Sequence, residues 1–227
     1  MNRWNEEMEV VRNRHRELIL ESAKRLLLEK DWNGVTLGAV ASESGLSRVT
    51  VYKYFSSIHD IIYELQIRIL RGWIDENNKY MLSGNTGAEK LSALLHGIVA
   101  TYRNQLEEIR FLALFDHHYR VNFPSKEFIL NYKEDTQNDF NDIRSIVMEG
   151  QKDGSIHSEF DSDLLAWMIS QTLFSLLHRM AVRGQLIQEL RGIEPDEVIR
   201  YLNLFLGEFV KTKPNLSVFV KDYEVTE

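Results

Sequence analysis

Apolar residues recur at helical spacing along most of the chain. Ile19, Ala23, Leu26 and Leu27 stand at i, i+4, i+7 and i+8, one buried helical face. They predict a first helix over about 10–30, with Arg12, Arg14, Arg16, Lys24 and Arg25 on its polar side. Asp31-Trp32-Asn33-Gly34 interrupts the pattern, and the Thr36 hydroxyl is suited to cap a second helix. Leu37, Val40 and Ala41 share one face of that short helix, over 37–44, which Gly45 ends by tolerating a left-handed exit. Leu46 enters the core and Ser47 caps a third helix over 48–55. The pattern Ile61, Ile62, Leu65, Ile69 and Trp73 carries a long helix over 57–82. Further helices are expected at about 88–104, 106–120, 125–152, 161–183 and 195–212. Breaks fall at Ser83 to Gly87, Asp153 to His157, Arg183-Gly184 and Arg191 to Pro195. There is no strand alternation and no internal repeat, so the fold class is all-α.

Two helices of about two turns, joined by Ser44-Gly45-Leu46-Ser47, have the outline of a helix-turn-helix. In such a unit the second helix needs core residues on one side and short polar or basic residues on the other. Val51 and Phe55, four apart, can turn inward with Leu46, leaving Arg48, Thr50, Tyr52 and Lys53 outside. Arg48 can address the O6 and N7 atoms of a guanine together, and Thr50 can touch a thymine methyl. Tyr52 and Lys53 suit phosphates, which set orientation rather than sequence. With the flanking Thr36, Ser47 and Tyr54, these residues form the candidate DNA-contacting set.

Residues 16–62 resemble the DNA-binding domain of the TetR family of bacterial transcriptional regulators. The likeness runs through Ile19-Leu20-x-x-Ala23-x-x-Leu26, Trp32-x-x-Val35-Thr36-Leu37 and Val40-Ala41-x-x-x-Gly45-Leu46-Ser47-x-x-Thr50-Val51-Tyr52-x-Tyr54-Phe55. Departures are Asp31 where Gly is common, Ala39 where an acid is common, Val49 where Gly or Ala is common, and Ile58 where Lys is common. The resemblance implies a helix-turn-helix domain over 1–56 and a larger helical effector-binding and dimerisation domain over 57–227. It implies a homodimer on double-stranded operator DNA, released by an unknown small-molecule effector. The alternative is a DNA-binding accessory protein controlled by a protein partner. The last two long helices would pair with their copies in the partner, with Leu165, Met168, Thr172, Leu176, Met180, Leu202, Phe205 and Phe209 as candidate interface residues. Aromatic or polar residues on otherwise apolar helices are candidates for an effector cavity: His96, Tyr102, Phe115, His118, Tyr119, Trp167, Gln171 and Phe174.

Net charge changes the picture little. The total is −7, yet residues 1–60 hold nine Lys/Arg and nine Asp/Glu, so the acid excess lies further on. A neutral head can still present a basic face. The absence of cysteine excludes disulfides and thiolate metal sites. His117-His118 does not make a metal site, because adjacent helical side chains diverge by about 100°. No Gly-rich phosphate loop, H-E-x-x-H or G-x-S-x-G is present, so the chain does not read as an enzyme and implies no cofactor. The N-terminal residues lack a signal-peptide core and no apolar run spans a bilayer, so a cytoplasmic location without membrane contact is expected.

Overall fold

A computed structural model describes residues 3–30, 32–81, 84–121, 123–136 and 139–211, apart from the side chains of 3–6, 77, 78, 80, 81, 139–142 and 209. Among the described residues there are ten α-helices, one 3₁₀ turn at Trp32–Gly34 and no strand. The helices are α1 (Arg3–Glu29), α2 (Leu37–Ser44), α3 (Arg48–Tyr54), α4 (Ile58–Met81) and α5 (Gly87–Asn104). They continue as α6 (Leu106–His118), α7 (Lys126–Thr136), α8 (Asp139–Asp153), α9 (Ser162–Arg191) and α10 (Pro195–Lys211). The first helix begins more than four turns before the first buried residue of its apolar face, Ile19. Residues 7–14 are all exposed, and no Gly or Pro there breaks the helix.

One expectation about helix extent is corrected. Of the single helix expected over 125–152, Lys126–Thr136 and Asp139–Asp153 are helical, and residues 137 and 138 lie outside the described residues. The break expected at Arg183-Gly184 is absent, and α9 continues to Arg191. A Cβ on Gly184 would come within 2.8 Å of Pro195 Cγ and 3.1 Å of the Tyr102 hydroxyl. This glycine serves a close approach inside a helix. The helix ends instead at Gly192, where φ is 65°.

The chain divides into two compact units. The first comprises residues 1–75, 104–137 and 181–183. Its core gathers Ile19, Ala23 and Leu27 of α1, Val40 of α2, Val51 of α3 and Ile61 and Ile62 of α4. Phe111 and Phe115 of α6 and the following Tyr119 join the same cluster. Trp32 is the joint: its ring lies 5.2 Å from that of Phe111, and its Nε1–H donates to the Leu27 carbonyl at 2.7 Å. The packing unit is thus larger than the 1–56 segment, because the apolar side of the helix-turn-helix is completed by α4 and α6. Outside the core, Arg16 pairs with Glu64, Arg68 with Glu64 and Glu17, and Lys24 with Glu108.

The second unit comprises residues 76–103, 138–180 and 184–227. Leu91 and Leu95 of α5, Val147 of α8, Leu165, Ile169 and Leu173 of α9 and Ile199, Leu206 and Val210 of α10 are buried. The Asn203 side-chain amide donates to the Leu95 carbonyl, and the His157 N–H donates to the Val210 carbonyl at 3.2 Å. No helix among the described residues is long and apolar enough to cross a membrane.

Candidate nucleic-acid interface

Local sequence chemistry fixes α2 and α3. The Thr36 hydroxyl accepts the Ala39 N–H at 3.2 Å and starts α2. Gly45 ends it in the left-handed region, at φ 69°, with its N–H on the Ala41 carbonyl. The Ser47 hydroxyl then accepts the Thr50 N–H at 3.1 Å and lies 2.8 Å from the Thr50 hydroxyl. Between the two helices the chain has only Gly45, Leu46 and Ser47 in which to turn, so α2 and α3 are held at short range.

Burial then sorts the side chains of α3. Val51 is 0% and Phe55 4% exposed, with the Arg16 guanidinium 4.9 Å above the Phe55 ring. On the other side Tyr52 is 59% and Val49 68% exposed, and Ser47, Arg48 and Lys53 are exposed as well. Thr36 is exposed and Thr50 half-buried. Tyr54 is different: it is half-buried, with its hydroxyl 3.3 Å from His15 Nδ1 of α1. Of the sequence candidates, Thr36, Ser47, Arg48, Thr50, Tyr52 and Lys53 therefore retain a solvent-facing side, while Tyr54 is tied to α1. Ile58 packs against the core, and His59 Nδ1 lies 2.7 Å from the Tyr119 hydroxyl.

The electrostatics favour an anion on this side. Arg48 and Lys53 make no ion pair among the described residues. Some carboxylates of the same unit are paired with cations, Glu17 with Arg68 and Glu43 with Arg25 at 3.3 Å, while Asp60 accepts hydrogen bonds from Ser56 and Ser57. Burial acts to raise the Asp60 pKa, but hydrogen bonds from both serines outweigh it and hold the carboxyl below its ordinary value. A head of zero formal charge thus presents uncommitted cations on α3.

One contact was not anticipated from sequence. A Cβ placed on Gly38 of α2 would lie 3.3 Å from Arg48 Nη2 and 3.4 Å from its Cζ and Nε. The Arg48 guanidinium rests over the first turn of α2, in the space a side chain at 38 would take. Periodicity could not find this, since it ranks positions by burial and Gly38 has nothing to bury.

The effector candidates are divided between the two units. Phe115 and Tyr119 are core residues of the first unit, with rings 4.8 Å apart, and His118 is half-buried with its ring 5.2 Å from Trp32. In the second unit His96, Trp167 and Gln171 are exposed. Tyr102 is buried and donates its hydroxyl to the Met180 carbonyl at 3.2 Å, and Phe174 is half-buried against the His178 ring at 6.1 Å. A groove of about 600 Å³ in the first unit is lined by other residues, among them Arg16, Tyr63, Arg68, Arg71, Phe128 and Asp135. Its charges are largely matched internally, Arg71 with Asp135 and Arg16 with Glu64. No group of three or more His, Asp or Glu among the described residues is placed to hold a metal ion.

The interface candidates also divide. Leu165 and Met180 are buried in the chain's own core. Met168 is 36% and Phe205 63% exposed, while Thr172, Leu176 and Leu202 are half-buried. The side chain of Phe209 lies outside the described residues. Other large exposed apolar residues of the same helices are Leu164, Trp167, Val182, Leu186 and Leu190 on α9 and Tyr201 and Leu204 on α10. Helix α9 has apolar residues all round, so a period alone cannot choose its outer face.

Residues 19–65 match the family model described as bacterial regulatory proteins, tetR family. Over 72 residues, 32% of the chain, the sequence is 33% identical to the HTH-type transcriptional regulator AlkX of Mycobacterium tuberculosis. The matched segment spans 34% of that relative's length. The fold extends the likeness much further. The fatty acid degradation regulator FadR of Bacillus halodurans superposes with a TM-score of 0.68 at 18% identity, covering 88% of this chain and 97% of its own. FadR of Bacillus subtilis, solved in complex with stearoyl-CoA, gives 0.66 at 18% identity, covering 86% and 97%.

Proposed function

We propose that the chain is a sequence-specific DNA-binding regulator that represses transcription as a homodimer, a reading supported by the match of residues 19–65 to the tetR-family model. The observation that carries this reading is the division of α3. Val51 and Phe55 are sunk in the core, whereas Arg48, Tyr52 and Lys53 stand free on the outside. Arg48 is the base reader, Lys53 and Tyr52 hold phosphates, and the hydroxyls of Ser47 and Thr50 serve either. Two copies related by a two-fold axis place their α3 helices in successive major grooves, about 34–36 Å apart, on an inverted repeat. The exposed Leu164, Trp167, Met168, Tyr201, Leu204 and Phe205 are the surface on which the copies meet.

Control is by a small molecule that favours one spacing of the two heads and so releases DNA. The stearoyl-CoA complex of the Bacillus subtilis regulator supports an acyl thioester as the first effector to try. Helix α4 links the head to the remainder of the chain and is the element such a ligand would act through.

The test is selection from random duplex DNA by the purified protein at a fixed moderate salt concentration. Enrichment of an inverted repeat is the expected result. A folded, dimeric sample that enriches no sequence would remove the repressor reading.

A further inference from the structure

We propose that Gly38 is a specificity-determining residue: by having no side chain it places the Arg48 guanidinium for base reading. This rests on the reading of α3 as the base-contacting helix. The two residues belong to different helices and are ten apart in sequence. They meet because the Gly45 turn folds α2 and α3 together. The guanidinium lies where a side chain at 38 would begin, with three of its atoms within 3.4 Å of a Cβ built there. It makes no ion pair or hydrogen bond among the described residues, so its donors are all available.

Two physical points make this more than proximity. A bidentate contact requires the guanidinium plane to be held in a defined direction. An exposed arginine on a seven-residue helix has many rotamers, and a ledge on the neighbouring helix reduces them. Glycine is moreover a poor choice for the first turn of a helix, where alanine would be more favourable. Its presence is explained if the space above it is used. A methyl group at 38 would press the guanidinium outward by a few tenths of an ångström, because the contact falls just inside ordinary van der Waals distance. A branched side chain would occupy the ledge itself. The cation would remain, but not its direction.

The experiment compares base preferences of the full-length wild type, Gly38→Ala, Gly38→Val, Arg48→Ala and the Gly38→Val/Arg48→Ala double variant. Each is selected on the same random duplex library, after circular dichroism has confirmed helix content. Arg48→Ala should abolish discrimination at one base pair per half-site, a loss of roughly 5- to 150-fold. Gly38→Val should lose discrimination at that same pair and keep it elsewhere. Gly38→Ala, which favours the helix, should lose part of it. In the double variant, the change at 38 should add nothing further at that pair. The proposal is overturned if Arg48→Ala changes one pair while both Gly38 variants keep it, or if Gly38 variants alter other pairs independently of Arg48. If Arg48→Ala leaves every position unchanged, the base-reading role of α3 falls, and this proposal with it.

Discussion

Acidifying a solution of the protein from about pH 7.5 to 5 is expected to cost about 2 kcal/mol of stability through His178 alone. The imidazole is half-buried on α9, with the Phe174 ring centred 6.1 Å away. Burial disfavours the charged form and pulls its pKa from 6.5 to about 4. An unfolded chain takes up the proton near the ordinary value, while the folded chain resists until about pH 4. Folding stability from this group is therefore whole above about 6.5 and declines as the pH falls toward 4, where the loss is complete. The gap between the two values amounts to about 3 kcal/mol, of which about 2 is spent by pH 5. The assay is urea unfolding of wild type and His178→Phe at both pH values and one ionic strength. Phenylalanine preserves a planar ring and cannot titrate. Other histidines and carboxylates act equally in both proteins, so the difference isolates this residue. The variant should lose about 2 kcal/mol less than wild type on acidification. Equal losses with unchanged denaturant slopes would refute the reasoning.

Three more residues give outcomes that can be measured. Phe115→Ala should destabilise the first unit by about 3–5 kcal/mol, because the ring is buried among Tyr119, Phe128 and Tyr132; a loss below about 1 kcal/mol in calorimetry would mean that the seam repacks without it. Lys53→Ala should weaken binding to all DNA sequences alike and make the slope of log affinity against log salt shallower by about 0.9 per site. An unchanged slope would dismiss the phosphate contact. Asp60, with its pKa held down by Ser56 and Ser57, contributes stability that is present above the ordinary carboxylate value and lost as the pH drops through its folded one. Asp60→Asn should accordingly flatten the acid-unfolding curve below about pH 4, which fluorescence can follow.

How far the sequence was legible depended on how local the cause was. Thr36, Gly45 and Ser47 act within three or four residues, so both ends of α2 and the start of α3 could be read from residue chemistry. Gly184 has the same chemistry as a helix end but answers to Pro195 and Tyr102, which are distant in sequence. The roles of Phe115, His118 and Tyr119 were hidden for the same reason. Their periodicity marks them as inward-facing, and only the fold reveals that inward means against Trp32 for His118 and Tyr119 and against Phe128 and Tyr132 for Phe115. The outer face of α9 was obscured by apolar residues on all its sides. The Gly38–Arg48 contact required the turn between two helices to be closed before it existed.

The exposed row of Leu164, Trp167, Met168, Tyr201, Leu204 and Phe205 bears on gene dosage. Where two copies are needed to cover that surface, the species that occupies DNA is second order in the chain. At scarce supply, halving the number of chains in a cell quarters the number of competent pairs. Promoter output then responds to expression more steeply than in proportion, before any effector is added. A truncated copy that retains α9 and α10 but lacks α3 would enter pairs with intact chains and silence them, so that loss of one gene copy and expression of such a fragment would have different severities.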